Sequence, residues 1–398
     1  MINVIFNALA STAGGGVTYL RNVLPLLSRT EEPQRYLVLV PPSQVKSFAS
    51  LSSERMTIET VEVQGAARRM WWEQTRLRQV IKSRQIQVLV SLGNFALLAS
   101  PVAQILFNRN DLFFSDEFEQ DLKRRNLTSA LIAHRFKSLL ARQSIRQATI
   151  NVTPTAAFGD RIRSTMGNDL ANLETLRFGF DSQGFAKNQK PLPDWLAAKL
   201  NLDKNCRRIL YVSHYNYFRN FETLIRAFPA IKSRLLQQTG ETAQLVFTTN
   251  IQHGANYGGY DATSAAKLID RLDIRQDIAM LGAVEYENLH QLYKLCDVFV
   301  CPSYSESFGH PLVEAMASGV PVVSANLPVH REVCGEAAIY FDVFDERDLA
   351  ERCIEVLADQ NLSNQLRVRG LERSREFSWS EHVRQLTALI NRVAGQNK

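Results

Sequence analysis

Patterns that would mark a membrane, secreted or repeat protein are missing from this sequence. No stretch approaches the roughly eighteen uninterrupted apolar residues that a membrane-spanning helix needs. The opening residues, MINVIFNALASTAGGG, have no basic leader and predict a first strand followed by a glycine loop rather than a signal peptide. Low-complexity tracts and short-period repeats are absent as well. We therefore expect a globular protein that stays in the cytoplasm.

Metal-ligand patterns are missing too. The five cysteines, at positions 206, 296, 301, 334 and 353, show neither C-x-x-C nor His/Cys ligand spacing. There is no D-x-D sequence and no cluster of histidine and carboxylate residues with metal spacing. We expect no bound metal and no cofactor, and the cysteine usage favours reduced thiols.

The chain is too long for one hydrophobic core. Its 398 residues suggest two domains of ordinary size, and a content of 45% hydrophobic and 22% charged residues is typical of a globular chain. Residues 1–180 hold 22 lysines and arginines against 14 aspartates and glutamates, whereas the remainder holds 24 against 26. The basic first part is therefore expected to face a large anionic partner.

Apolar runs alternate with helical patterns along the whole chain. The predicted buried strands of the first half are NVIFNAL, RYLVLV, QVLVSL, AQILF and ATINVTPT. Those of the second half are RRILYVS, AQLVFTT, IAMLG, VFVCP and PVVSA. Between the halves, glycine- and proline-bearing chain at about 180–194 indicates a hinge. The pattern predicts an α/β protein with two doubly wound, Rossmann-like domains facing a central cleft, where a ligand would bind.

The stretch SESFGHPLVEAMASGVPVV, residues 305–323, is predicted to connect a strand to a helix. Pro311 suits the first helical position, and Gly319 ends the helix before the strand PVVSA. The free backbone N–H groups from Ser307 to Val313 would then point at the carboxyl edge of a parallel sheet, where helix N termini bind phosphates. We expect an anion-binding site there.

Two glutamates, eight residues apart, flank this turn. Glu314 falls in the predicted first helical turn, where its carboxylate could accept the paired hydroxyls of a ribose. Glu306 could accept hydroxyls of the group that a diphosphate carries, so one nucleotide sugar would satisfy both residues. Alternatively, Glu314 only complements the helix dipole and Glu306 is a solvated loop charge, which is the commoner case for an isolated E-x7-E pair.

Two further patterns follow the first strand of each half. Gly14, Gly15 and Gly16 would let the backbone approach a diphosphate, but the same triplet suits a flexible connection, and neither GxGxxG nor a Walker lysine is completed. In VSHYNYFRNFETLI, His214 and Arg219 would face the cleft, where Arg219 could neutralise phosphate oxygens and leaving-group charge. By itself, Arg219 is as readily a surface cation near a helix start.

Basic segments of the first domain suggest contact with an anionic surface. Residues 66–84 combine Trp71 and Trp72 with six arginines and lysines, a pattern of membrane-surface helices. Alternatively, the tryptophans are core residues and the basic side chains form a solvated face. A second basic stretch at 121–147 favours the lipid surface. No nucleic-acid recognition motif is present, so nucleic acid is not expected as a partner.

Together, these motifs resemble the retaining nucleotide-sugar glycosyltransferases of family four, which have the GT-B fold. The resemblance covers nearly the whole chain and is densest at about 275–360, a stretch that contains the E-x7-E motif. FGFD at 178–181 resembles the signature that precedes the family's hinge. The resemblance implies an N-terminal acceptor-binding domain at 1–183, a C-terminal nucleotide-sugar-binding domain at 184–375, and a last helix at 376–398 that returns to the first domain.

The resemblance also implies roles for individual residues. Glu314 would bind the donor ribose, Glu306 would bind hydroxyls of the sugar, and Arg219 would bind the donor phosphates. Glu306 and Arg219 are the predicted catalytic residues. The other predicted donor-binding residues are Gly15, Gly16, His214, Ser307, Phe308, Gly309, His310, Leu312 and Val313.

The sequence departs from the family pattern at two places. Many relatives carry an Arg-Lys pair, spaced as G-R-x4-K, on the donor phosphates, whereas this chain has His214 and Arg219. Many also carry a histidine after a strand of the N-terminal domain, whereas the corresponding LFNRND has Asn108, Arg109 and Asn110. The residue that meets the acceptor is therefore left open.

The function that the resemblance implies is metal-independent transfer of a sugar, with retention of configuration, from a nucleoside-diphosphate sugar to an acceptor hydroxyl. A basic domain on the inner face of the cytoplasmic membrane would suit a lipid-linked saccharide as acceptor. Such an acceptor belongs to the biosynthesis of a bacterial surface polysaccharide, such as lipopolysaccharide, O-antigen or capsule. Two other functions stay open: a non-catalytic nucleotide-sugar-binding protein, and a GT-B epimerase or phosphorylase.

Overall fold

The computed structural model describes residues 1–12, 14–167 and 170–395. The chain divides into two compact units, residues 1–179 together with the chain from 378 onwards, and residues 180–377. Ala13 of the predicted glycine loop and the last three residues of the predicted C-terminal helix lie outside the described residues.

Strands and helices alternate along most of the chain. In chain order, the strands are β1 (Ile2–Asn7), β2 (Gln34–Val40), β3 (Met56–Thr60), β4 (Val88–Ser91), β5 (Ala103–Phe107), β6 (Ile150–Thr153), β7 (Leu173–Thr175), β8 (Cys206–Tyr211), β9 (Thr242–Phe247), β10 (Asn256–Tyr257), β11 (Tyr260–Asp261), β12 (Ile278–Met280), β13 (Val298–Cys301), β14 (Val322–Ala325) and β15 (Ala338–Phe341). In chain order, the α-helices are α1 (Gly15–Leu27), α2 (Val45–Phe48), α3 (Ala66–Thr75), α4 (Leu77–Ser83), α5 (Asp116–Arg124), α6 (Thr128–Gln147), α7 (Ala156–Met166), α8 (Ser182–Phe185), α9 (Asp194–Ala197), α10 (Phe221–Thr239), α11 (Thr263–Arg271), α12 (Tyr286–Lys294), α13 (His310–Ala317), α14 (Pro328–Cys334), α15 (Glu346–Ala358), α16 (Gln360–Ser374) and α17 (Trp379–Gly395).

The first unit is built on a seven-stranded parallel sheet with the order β3-β2-β1-β4-β5-β6-β7. Its central strands are apolar runs, and Val4, Ile5 and Phe6 of β1 are fully buried, as expected for parallel strands covered by helices on both faces. The strand order reverses between β1 and β4. In a doubly wound sheet, such a reversal opens a crevice at the carboxyl ends of the strands, where ligands bind.

The second unit repeats this plan. Its six-stranded parallel sheet has the order β12-β9-β8-β13-β14-β15, and the order reverses between β8 and β13. An antiparallel pair, β10 with β11, lies apart from this sheet. The prediction of an α/β fold with two doubly wound, Rossmann-like domains is therefore confirmed.

The last helix, α17, packs on the first unit. Its apolar face includes the buried side chains of Leu386 and Ile390. Where α17 begins, the chain passes so close to Gly179 that an added Cβ there would lie 2.1 Å from the backbone N of Trp379. Only glycine allows this approach, because the neighbouring atom is backbone and cannot move aside.

Each of the ten predicted apolar runs contains a strand, but the predictions miss five strands, β3, β7, β10, β11 and β15. The strands β10 and β11 have only two residues each, and the other three lie at the edges of their sheets. Edge strands are covered less completely, and β3 accordingly has only one fully buried residue, Met56. A strand of that kind has no continuous apolar run to reveal it.

Candidate functional site

The turn between β13 and α13 lies where the strand order of the second sheet reverses. Gly309 has a left-handed backbone with φ of 86° and precedes His310, the first residue of α13. An added Cβ at Gly309 would approach Leu312 Cδ1 to 2.8 Å, so the leucine side chain would have to shift, and the left-handed backbone itself favours glycine. The helix thus begins one residue before the predicted start at Pro311, and Gly319 follows its end as predicted.

Glu314 is the fifth residue of α13, so its predicted place in the first turn is wrong. Its side chain is only 6% exposed. The Tyr293 hydroxyl, from α12, donates to Glu314 Oε2 at 3.1 Å and lies 3.3 Å from the Pro311 carbonyl oxygen. Burial raises the pKa of Glu314 to about 7. A glutamate that only complemented a helix dipole would lie in the first turn, so this placement argues against that alternative.

Glu306 forms an ion pair with Arg219, in which Arg219 Nη1 contacts Glu306 Oε1. The Glu306 side chain is 11% exposed, so it is not a solvated loop charge. Arg219 lies in the turn between β8 and α10, and its carbonyl oxygen accepts a hydrogen bond of 2.9 Å from the Tyr211 hydroxyl. The same hydroxyl lies 3.0 Å from Ser303 Oγ. The structure therefore brings the two predicted catalytic residues together.

Backbone contacts fix the two loops that carry this pair. The Tyr304 N–H donates to the Phe218 carbonyl at 3.0 Å. Asn220, whose backbone is left-handed with φ of 53°, donates from its side chain to the Pro302 carbonyl at 3.0 Å. The two loops follow neighbouring strands, β8 and β13, so these bonds join the loops at the carboxyl ends of those strands.

The other predicted donor-binding residues of this unit differ in what they present. Phe308, Leu312 and Val313 have buried side chains, so only their backbones could contact a ligand. The Leu312 N–H already donates to the Gly309 carbonyl at 3.0 Å. His310 and Ser307 are partly exposed, and His214 is exposed in the loop after β8.

The predicted glycine loop lies at the carboxyl end of β1 in the first unit. Gly15 and Gly16 are the first two residues of α1, and Gly14 precedes them with φ of 58°. An added Cβ at Gly16 would lie 3.0 Å from Ser11 Cα, and one at Gly15 would lie 3.6 Å from Arg109 Nη2. The chain is therefore crowded at Gly16, whereas an added Cβ at Gly14 would meet nothing within 4 Å.

The basic segment 66–84 forms α3 and α4, and its two tryptophans differ. Trp71 is 62% exposed, whereas Trp72 packs on an apolar cluster that includes Leu77 and Ile81. Several basic side chains are bound to the protein itself; for example, Arg78 donates to the Ala99 carbonyl at 2.7 Å. One tryptophan of this segment therefore packs on the core and the other is exposed, and contact with a membrane stays a prediction.

The second basic stretch contains a clearer amphipathic surface. Ile132, Phe136 and Leu139 of α6 are 64%, 61% and 61% exposed. Their spacing places them on one helix face, which we call the α6 apolar face. Helix α6 also carries four basic residues and no acidic one.

Within the described residues there is no group of three or more His, Cys, Asp or Glu side chains that could hold a metal ion. The same part of the chain contains no helix long and apolar enough to cross a bilayer.

Some residues of the site are not indicated by any pattern in the sequence. Tyr293, Tyr211 and Ser303 hold the acidic and basic groups in place, but each lies in an otherwise ordinary helix, strand end or loop. Tyr211 offers a weak signal, because it is a polar aromatic residue at the carboxyl end of an apolar run, next to the edge where ligands bind.

Comparison with known proteins identifies the family of the second unit. Residues 196–373 match the family model for Glycosyl transferases group 1. Over 125 residues the chain is 34% identical to O-antigen chain mannosyltransferase B of Escherichia coli, an alignment that covers 31% of this chain and 33% of that protein. The chain thus matches about a third of the length of this curated relative.

Solved structures share the fold of the whole chain. HepE of Anabaena, in complex with UDP and glucose, aligns with 98% of this chain and 100% of its own, with a TM-score of 0.71 and 16% identity. WaaG, a glycosyltransferase involved in lipopolysaccharide biosynthesis, aligns with 97% of this chain and 99% of its own, with a TM-score of 0.68 and 13% identity. The chain therefore has the GT-B fold. Its residues 196–373, just under half of the chain, match the group 1 glycosyl transferases, as the resemblance in the sequence predicts.

Proposed function

We propose that this chain is a retaining glycosyltransferase that moves a sugar from a nucleoside-diphosphate sugar to an acceptor hydroxyl. The observation that carries the proposal is the arrangement at α13, where Glu314 is buried against Tyr293 and Glu306 is paired with Arg219. The family match of residues 196–373 supports it, as does the UDP and glucose in the structurally similar HepE.

In this proposal the second unit binds the donor. Glu314 accepts hydrogen bonds from the ribose hydroxyls, and Tyr293 holds the carboxylate in position. The N terminus of α13, together with Gly309, meets the diphosphate, because the helix dipole favours an anion at that end. Glu306 accepts hydroxyls of the sugar.

Arg219 serves both the sugar site and the leaving group. A guanidinium carries five N–H donors, so Arg219 can keep Glu306 in place with one side and contact phosphate oxygens with the other. With His214 at the place of the relatives' arginine, Arg219 supplies the permanent positive charge of this unit's pair. Its removal should therefore affect turnover more than ribose binding.

The proposed reaction exchanges one bond at the anomeric carbon for another. The bond between that carbon and the diphosphate oxygen breaks, and the electron pair leaves with the diphosphate, whose charge Arg219 and the α13 N terminus stabilise. The acceptor oxygen attacks from the same face and forms the new bond. Its proton passes to a phosphate oxygen of the leaving group, so configuration is retained.

The first unit is proposed to bind the acceptor, a lipid-linked saccharide of a bacterial surface polysaccharide. The α6 apolar face supports this, because three large exposed side chains on a helix without acidic residues suit the interface of an anionic membrane. The names of two similar proteins, an O-antigen chain mannosyltransferase and a glycosyltransferase of lipopolysaccharide biosynthesis, point the same way. We therefore propose peripheral contact with the inner face of the cytoplasmic membrane.

The proposal is tested by product analysis. The full chain is incubated with UDP-, GDP-, dTDP- and ADP-sugars, with and without EDTA, and the released nucleotide and sugar are followed by NMR. We expect slow hydrolysis of one donor, with retained anomeric configuration, unaffected by EDTA. Inversion of the anomer would contradict the proposed mechanism. A changed sugar still attached to its nucleotide would indicate an epimerase, turnover that requires phosphate would indicate a phosphorylase, and binding without turnover would indicate a non-catalytic binder.

A further inference from the structure

Arg109 lies beside the glycine loop of the first unit. It follows β5, and its Nη2 atom is 3.6 Å from the position that a Cβ on Gly15 would occupy. The guanidinium carbon lies 5.3 Å from the centroid of the Tyr19 ring and 5.6 Å from that of Phe178. Two aromatic rings thus hold a cationic group next to the first residue of α1, while part of Arg109 stays exposed.

The placement is electrostatically unusual. Burial lowers the pKa of Arg109 to about 10, which still leaves the side chain charged at neutral pH. The N terminus of a helix itself carries about half a positive charge, so it and the Arg109 guanidinium are two positive groups side by side. A single anion there would be attracted by both.

A second, independent observation points to a ligand at the same place. Ser11 is 2% exposed, and its hydroxyl has no hydrogen-bond partner among the residues that the structure describes. Ser11 Oγ lies 3.0 Å from the position of a Cβ on Gly16, at the start of α1. Buried hydroxyls without a partner are rare because they lose their hydration without compensation.

The Arg109 backbone is held by Asn94, and Tyr19 beside the guanidinium is held by α17. Asn94 Oδ1 accepts hydrogen bonds from the Arg109 and Asn110 N–H groups, at 2.6 and 3.0 Å. His382 Nδ1 lies 2.9 Å from the Arg177 carbonyl oxygen, which can only accept, so the other ring nitrogen, Nε2, accepts from the Tyr19 hydroxyl at 2.9 Å. Tyr19 is thereby fixed under the guanidinium.

We propose that Arg109 binds a phosphate-type anion at the N terminus of α1, with the Gly15 and Gly16 N–H groups and the Ser11 hydroxyl as further donors. Tyr19 and His382 are positioning residues for Arg109. The identity of the anion rests on the proposed function: it is a phosphate of the nucleotide-sugar donor or a phosphate of a lipid-linked acceptor. The chemistry of recognition is the same for both.

The test measures binding of inorganic pyrophosphate to the full chain by calorimetry. Arg109→Gln is expected to weaken binding about tenfold or more, because a charge-assisted pair is lost. Arg35→Gln is the matched control, since Arg35 is an exposed arginine of the same unit, and it should leave the affinity unchanged. Unchanged affinity in Arg109→Gln would overturn the proposal.

Two further variants separate positioning from folding. Arg109→Lys keeps the charge but loses the planar fork, so it should fold and still bind pyrophosphate several-fold more weakly than the wild type. Tyr19→Phe removes the hydroxyl bound by His382. If Tyr19 positions Arg109, its loss should weaken pyrophosphate binding, whereas a purely structural role would lower only the melting temperature and would refute the positioning part.

The source of the anion is distinguished by kinetics. If Arg109 binds the donor, Arg109→Gln should raise the KM for the nucleotide sugar and slow its hydrolysis in water. If it binds the acceptor, donor hydrolysis should be unchanged and only the KM for the phosphorylated acceptor should rise. Failure of the proposed function itself would appear differently, as absence of nucleotide-sugar binding by the wild-type chain, whatever pyrophosphate shows.

Discussion

Arg219 and Glu306 form an ion pair beyond the carboxyl ends of two neighbouring parallel strands, β8 and β13. The Tyr211 hydroxyl fixes the Arg219 backbone, because it donates to the Arg219 carbonyl oxygen and also contacts Ser303 Oγ. A carboxylate that is held in this way presents its second oxygen in a defined direction, which suits recognition of sugar hydroxyls.

Glu306→Gln should separate donor binding from sugar transfer. Glutamine keeps the shape and one carbonyl oxygen but loses the charge that pairs with Arg219. We expect nucleoside diphosphates without a sugar to bind within about threefold of wild type, and turnover to fall by about 100-fold or more. The measurements are calorimetry with the nucleotide and a nucleotide-release assay with the sugar donor. Equal losses in both would contradict the assignment of Glu306 to the sugar.

Glu314→Gln should stabilise the protein in a pH-dependent way. Burial raises the pKa of Glu314 from 4.5 to about 7, so the folded wild type loses stability as pH rises through this range. Glutamine has no such cost and retains an acceptor for Tyr293. The difference in unfolding free energy between the variant and wild type should therefore increase by about 2 to 3 kcal/mol, in favour of the variant, when the pH rises from 5 to 8.

Urea unfolding at these two pH values checks this prediction. Glu372→Gln, which changes an exposed glutamate on α16, is the matched control and should show no comparable dependence on pH. A constant difference between Glu314→Gln and wild type at both pH values would show that Glu314 is not desolvated as described.

Gly309→Ala should damage both stability and donor binding. The new methyl group would meet Leu312 Cδ1 at 2.8 Å and would force an alanine into a left-handed backbone. We expect a loss of about 2 kcal/mol or more of unfolding free energy, with displaced N–H groups at the start of α13 and weaker nucleotide binding.

The control for that variant is Gly240→Ala. Gly240 is also left-handed, with φ of 75°, but an added Cβ there meets nothing within 4 Å. It should cost about 1 kcal/mol and leave nucleotide affinity unchanged. If both variants affect nucleotide affinity equally, the turn before α13 has no special part in binding.

The α6 apolar face should bind anionic bilayers. Replacing Ile132, Phe136 and Leu139 with serine should reduce binding to vesicles containing phosphatidylglycerol by at least about tenfold, because each exposed apolar side chain contributes on insertion. Binding by the wild type should weaken as salt is raised, since charge attraction contributes.

A matched triple variant of the second unit controls for general surface hydrophobicity. Trp195, Leu202 and Leu236 are exposed to a similar extent, at 55%, 50% and 54%, and their change to serine should leave vesicle binding intact. If both triple variants and wild type bind vesicles equally, the α6 apolar face does not bind the membrane.

Much of the fold could be predicted from the sequence because buried parallel strands leave continuous apolar runs. The strands β3, β7 and β15 could not, because these three edge strands are only partly buried. The E-x7-E motif indicated the right turn, since Pro311 and Gly319 mark a helix of defined length.

The residues that contact these two glutamates could not be predicted from the sequence. Tyr293 reaches Glu314 from another helix, and Arg219 reaches Glu306 from another loop, so both contacts depend on strand order rather than on spacing along the chain. The place of Arg109 beside Gly15 has the same origin, because β1 and β5 are separated in the sheet only by β4.

Whether Glu314 binds the donor ribose is tested most directly by calorimetric binding of UDP, GDP, dTDP and ADP to wild type, Glu314→Ala and the exposed control Glu372→Ala. We expect one nucleotide to bind equally well to wild type and to Glu372→Ala. Glu314→Ala should bind that nucleotide at least about tenfold more weakly, because the ribose hydroxyls lose a charged acceptor. If no nucleotide binds to wild type, or if all three proteins bind equally, Glu314 does not bind the ribose of a donor.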